Sequence, residues 1–152
     1  MKLSEADIRE MDRQARELGE RLDLRRRDLS GLGLYMADLS GADLGEADLT
    51  QINLTASNLT GVDLSQAILT QASLTQSCLK GANLNRAILL GAYLIKADLQ
   101  GADMRGARLS GADLSHANLS EVDLQGAYYD AYTRWPLGFD PKAAGAYFQV
   151  ST

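Results

Sequence analysis

From Leu24 to Leu124 the chain places leucine at every fifth position except 104, where Met104 stands. That is 20 leucines in 21 consecutive positions. From Ala37 onward, the residue two before each of them is small or aliphatic, as in Ala42, Ile52, Ser57, Val62 and Ala67. A period of five fits neither a helix nor a strand. Five residues turn about 500° around a helix, so successive leucines would step by about 140° and never form a stripe. On a strand an odd period would throw alternate leucines to opposite faces. A chain that turns a corner every five residues keeps every leucine inside.

The repeating unit reads A-(D/N)-L-x-x, as in Ala42-Asp43-Leu44-Gly45-Glu46 and Ala112-Asp113-Leu114-Ser115-His116. This pattern resembles the pentapeptide-repeat family. The resemblance implies an all-β solenoid, a right-handed quadrilateral β-helix with four pentapeptides per coil and about five coils. Coils stacked in this way would pair edge to edge at ~4.8 Å.

Corners need turns, and a type II turn calls for positive φ at its second central residue, which favours Gly. The position two after each Leu is that site. Sorted by twenties, one corner collects Gly41, Gly61, Gly81 and Gly101, then Glu121. Another holds Gly31, Gln51, Gln71, Gly91 and Gly111. The remaining two corners are Gly-poor: Arg26, Glu46, Gln66, Arg86 and Met36, Ala56, Gln76, Lys96. Type II turns are expected along the Gly41 corner and other turn types along the Met36 corner.

Both ends depart from the repeat. Residues 4–22 read as an amphipathic helix capped by Ser4, with Ile8, Met11, Ala15, Leu18 and Leu22 on one face. That face is expected to cover the open first coil. After Ala127 the repeat fails, although Tyr128-Tyr129-Asp130 imitates a last unit. The segment at 133–141 holds the only Trp and both Pro, and suggests a lid over the last coil. It is similar to the tail that follows the repeats in many cyanobacterial pentapeptide-repeat proteins. The expected division is a helical cap at 1–21, a β-helix at 22–127 and a C-terminal cap at 128–152, with residues 149–152 frayed.

A single Cys leaves no internal disulfide and fits a reducing compartment. No apolar run suits a membrane span, and the N-terminus does not read as a signal peptide. A cytoplasmic protein is expected. The net charge of −5 disfavours direct nucleic-acid binding. Cys78 and the lone His116 lack partners for catalysis or metal binding, and the glycines follow the corner rule rather than a phosphate-binding motif. Catalytic residues, cofactors, metals and small-molecule substrates are therefore not expected.

Function must then lie on outward residues. One side lines up Asp23, Asp43, Asp63, Asn83, Asp103 and Asp123. Some pentapeptide-repeat proteins are thought to mimic DNA toward gyrase, and an acidic column could act so. Equally, each carboxylate could bond nearby backbone N–H groups, while Arg26, Arg86, Arg105 and Arg108 dilute its field. A second departure is apolar: Ile68, Ile88, Leu90, Tyr93 and Ile95 stand where polar residues are usual. Exposed together, they would mark a protein contact; packed together, they would only stabilise the wall. The reading is a non-enzymatic scaffold or regulator that binds another protein, itself a monomer or weak homodimer. The alternative is a gyrase-binding DNA mimic.

Overall fold

The computed structural model describes residues 2–150. Its body is a ladder of parallel pairings between residues twenty apart. Asp23 pairs with Asp43, Asp43 with Asp63, and so on through Asn83 and Asp103 to Asp123. Three more columns run alongside it, starting at Asp28, Gly33 and Asp38. Twenty residues thus make one coil with four walls, and each wall contributes one rung per coil.

Two hydrogen bonds at each rung, and a third from the corner N–H that follows most of them, join the coils. In the Asp43–Asp63 rung the Leu44 N–H donates to the Asp63 carbonyl at 2.7 Å and the Asp63 N–H donates to the Ala42 carbonyl at 2.9 Å. Each wall is only about three residues long between corners, so pairing reaches a single residue per wall. Extended strands of two residues occur only near the C-terminus among the described residues: β1 (Tyr128–Tyr129) and β2 (Tyr147–Phe148), which pair in parallel.

All four corners share one backbone conformation, which corrects the expected split between Gly-rich and Gly-poor corners. Met36, Ala56, Gln76 and Lys96 have φ of 57°, 58°, 58° and 59°, close to Gly61 at 65° and Gly81 at 64°. The turn-closing bond is also shared. The Ser57 N–H donates to the Leu54 carbonyl at 3.2 Å, and the Val62 N–H donates to that of Leu59 at 3.1 Å. The inter-coil ladder imposes the corner, and residues other than Gly accept the local cost.

The ladder leucines are fully or almost fully buried, and Met104 fills its place among them at 0% exposure. The residues two before them complete the core, including Ala47, Val62 and Ala87. Ser57 and Ser77 occupy that inner position yet stay satisfied, donating to the Leu34 and Leu74 carbonyls at 2.9 and 2.6 Å.

The helix α1 spans Glu5–Leu18, shorter than expected. Ser4 and Asp7 form a reciprocal capping box. Gly19, at φ 65°, ends the helix in a left-handed turn that the 3-4 spacing overran. Ile8 is buried on the first coil, and Met11 and Ala15 pack beside it. Leu18 is instead 71% exposed, and Leu22 belongs to the first rung, where its carbonyl accepts from Asp43.

At the other end the rungs continue through Tyr128, Arg134 and Tyr147. Tyr129 meets Trp135 and Phe148 edge-on at 5.5 and 5.6 Å, and Trp135 stacks on Phe139. Gln149, expected to be frayed, donates its N–H to the Tyr129 carbonyl at 2.8 Å. Residues 151–152 of that expectation lie outside the described residues.

Candidate functional site

The walls put the two outward features of the sequence on neighbouring sides of the rod. The acidic column runs in register as Asp23, Asp43, Asp63, Asn83, Asp103 and Asp123. Every member spends one side-chain oxygen on the backbone N–H two residues on. Asp23 accepts from Arg25, Asp43 from Gly45, Asp63 from Ser65, Asp103 from Arg105 and Asp123 from Gln125, all at 2.9–3.1 Å. This bond holds the chain after the Leu into the next corner.

Cations then cover most of the column. Arg25 pairs with Asp23 at 2.7 Å and lies 3.6 Å from Asp43; Arg105 pairs with Asp103 at 2.7 Å and lies 3.8 Å from Asp123. The Arg25 and Arg105 guanidinium groups hold the carboxyls of Asp23 and Asp103 below the usual carboxylate range. Arg26, by contrast, reaches Glu46 at its own corner.

The next wall carries Asp28, Asp48, Ile68, Ile88 and Arg108 in one column of rungs. Ile68 pairs directly with Ile88, and Ile68 is 37% exposed. Leu90 lies on the Ile88 rung, one residue beyond the buried Leu89, and is partly exposed. The chain then turns at Gly91, and Tyr93 (49% exposed) and Ile95 follow on the third wall. The structure therefore gathers all five apolar residues on adjoining faces around one corner.

Two members of this face were missed in the sequence. The column beyond Arg108 continues with Tyr128 and then Tyr147, whose rings lie 6.1 Å apart and are 42% and 61% exposed. Tyr128 keeps the register of twenties after Arg108, but Tyr147 follows at nineteen, so column sorting could not bring Tyr147 onto this wall.

Other candidates gather no chemistry. Cys78 is partly buried and lies 3.2 Å from the Thr60 hydroxyl. His116 sits at an exposed corner. The cleft at the C-terminal cap, about 340 Å³, is lined mainly by Ala117, Leu119, Pro136, Leu137 and Phe139 and offers no convergent polar groups. No helix among the described residues is long and apolar enough to cross a membrane.

The family model of pentapeptide repeats matches in 8 copies, over residues 37–76, 47–86, 72–111 and 87–126. Together these overlapping stretches span more than half of the chain. The chain belongs to the pentapeptide-repeat family. Among solved structures, it is similar to the pentapeptide repeat protein Rfr23 from the cyanobacterium Cyanothece 51142. That match has 31% identity and a TM-score of 0.74, and covers 80% of this chain and 95% of that one. A pentapeptide repeat protein from Nostoc Pcc 7120 is 34% identical over 96% of both chains, with a TM-score of 0.42. QnrB1, a plasmid-mediated fluoroquinolone resistance protein, is 15% identical over 86% of this chain and 80% of that one, with a TM-score of 0.35. That last likeness is too low to transfer a function. No curated protein matches the chain.

Proposed function

We propose that this pentapeptide-repeat protein is a non-enzymatic, cytoplasmic rod that binds another protein through its second and third walls. In this reading the rod is a right-handed quadrilateral β-helix at 22–127, closed by caps at 1–21 and 128–152. The observation that carries the reading is the cluster of Ile68, Ile88, Leu90, Tyr93 and Ile95 on adjoining faces where the repeat calls for polar residues. Outward Asp and Asn elsewhere accept from the backbone N–H two residues on, as Asp48 does from Thr50 at 3.0 Å. Aliphatic residues forgo that bond, so their presence needs another return. A flat apolar face gains by leaving water against a partner.

The acidic column supports the DNA-mimic alternative less well. Its carboxylates already bond the backbone, and four of the five lie near Arg25 or Arg105. A gyrase-supercoiling assay with added protein checks this directly, and no inhibition is expected.

The test of the main proposal is affinity capture from the native host with the wild type and with the Ile88→Lys, Tyr93→Ser double variant. Equal melting curves with loss of the captured protein are expected. Capture unchanged by the double variant would overturn the contact face.

A further inference from the structure

The second wall is complementary to itself, and we infer that a second copy of this chain occupies it, with the two rods antiparallel and face to face. This rests on the reading of that wall as a contact face. Going up the wall, its rungs carry Asp28, Asp48, Ile68, Ile88, Arg108 and Tyr128. These six rungs span about 24 Å at ~4.8 Å each. A two-fold axis lying in the wall, along the rungs and midway between Ile68 and Ile88, reverses that order in the partner copy. Ile68 then faces Ile88, Asp48 faces Arg108 and Asp28 faces Tyr128, each of these pairs occurring twice. The residues after the Leu follow suit, with Thr70 against Leu90 and Thr50 against Ser110.

Other registers lose this match. Slipping the axis by half a rung spacing, onto the Ile88 rung, sets Ile68 against Arg108. Parallel rods in equal register set Asp48 against Asp48 and Arg108 against Arg108. Only the antiparallel centre between the isoleucines joins apolar to apolar and opposite charges at once.

The charged members are free for that use. Arg108 is exposed and pairs with no carboxylate among the described residues, in contrast to Arg25 and Arg105 one wall away. Asp48 bonds only its own Thr50, through Oδ1, and pairs with no cation. An unpaired Arg at one end of the isoleucine pair, three rungs from an unpaired Asp at the other, is what a two-fold contact would satisfy.

Sedimentation of the purified full chain over a concentration series tests the inference. The wild type is expected to dimerise reversibly. Asp48→Arg and Arg108→Asp singly oppose like charges at two equivalent places and should each weaken the dimer by at least about tenfold. The double swap recreates the pairs and should recover affinity to within about threefold of wild type. Arg and Asp both already occur in this column, and melting curves check that each variant folds. A wild type that stays monomeric at high concentration overturns the second copy, while capture lost in the Ile88→Lys, Tyr93→Ser variant would still support a contact face for a different protein. A dimer indifferent to the single swaps, or one not restored by the double swap, overturns the proposed register.

Discussion

Replacing Ala56 with Gly should stabilise this protein, and replacing Gly61 with Ala should destabilise it. The two positions are adjacent corners of one coil. Ala56 has φ 58° and Gly61 has φ 65°, and both are exposed. A methyl added at Gly61 would meet nothing within 4 Å, so packing is not at issue. What remains is the backbone. An L-residue in the left-handed region costs about 1–2 kcal/mol, and Gly carries an extra unfolded-chain entropy of about 0.4–1 kcal/mol. The difference favours Gly by about 0.5–1 kcal/mol at either corner. For a chain of this size that is a shift of about 1–4 °C in Tm. Thermal and urea unfolding followed by circular dichroism would measure it, with Ala56→Gly above and Gly61→Ala below the wild type. If Ala56→Gly lowers the midpoint while Gly61→Ala leaves it unchanged, the strain is not where the dihedrals place it, and the reasoning from a uniform corner fails.

The core should be far less forgiving. Leu74 is 0% exposed in mid-rod, so Leu74→Ala should cost about 2–5 kcal/mol in urea unfolding, and Leu74→Asp should prevent a cooperative melt altogether. Truncating Asp63 to Ala removes its 2.9 Å bond to the Ser65 N–H and should lower stability by about 1 kcal/mol; a neutral result would show the bond to be idle. Acid should weaken the rod. Hydrogen bonds from Arg25, Ser30, Ser40 and Arg105 depress the carboxyls of Asp23, Asp28, Asp38 and Asp103 below their ordinary 3.8. Their contribution is therefore present above that value and lost as pH falls through the lower folded values. Melts at constant ionic strength should stay level down to about pH 5 and drop below about pH 4.

The leucine ladder was legible because its cause is local: one inward leucine per wall, replaced only by Met104, repeated without insertion from Leu24 to Leu124. The Asp bond to the backbone two residues on was legible as an option for the same reason. Leu18 was misplaced because 3-4 spacing cannot tell where a helix stops, and Gly19 stops it. The corners were misjudged because propensity is a weak local term. At Met36, Gln51 and Lys96 the inter-coil hydrogen bonds outweigh it and hold φ positive without Gly.

By itself, then, the sequence determined what faces inward and how many residues make a coil, since period and burial are properties of the chain's own pattern. Tertiary structure decided what faces outward together. Stacking at twenty residues set Ile68 beside Ile88 and left Arg108 unpaired, and a break in register carried Tyr147 onto Tyr128. Such neighbours are far apart along the chain, and only the geometry of the coils brings them onto one wall.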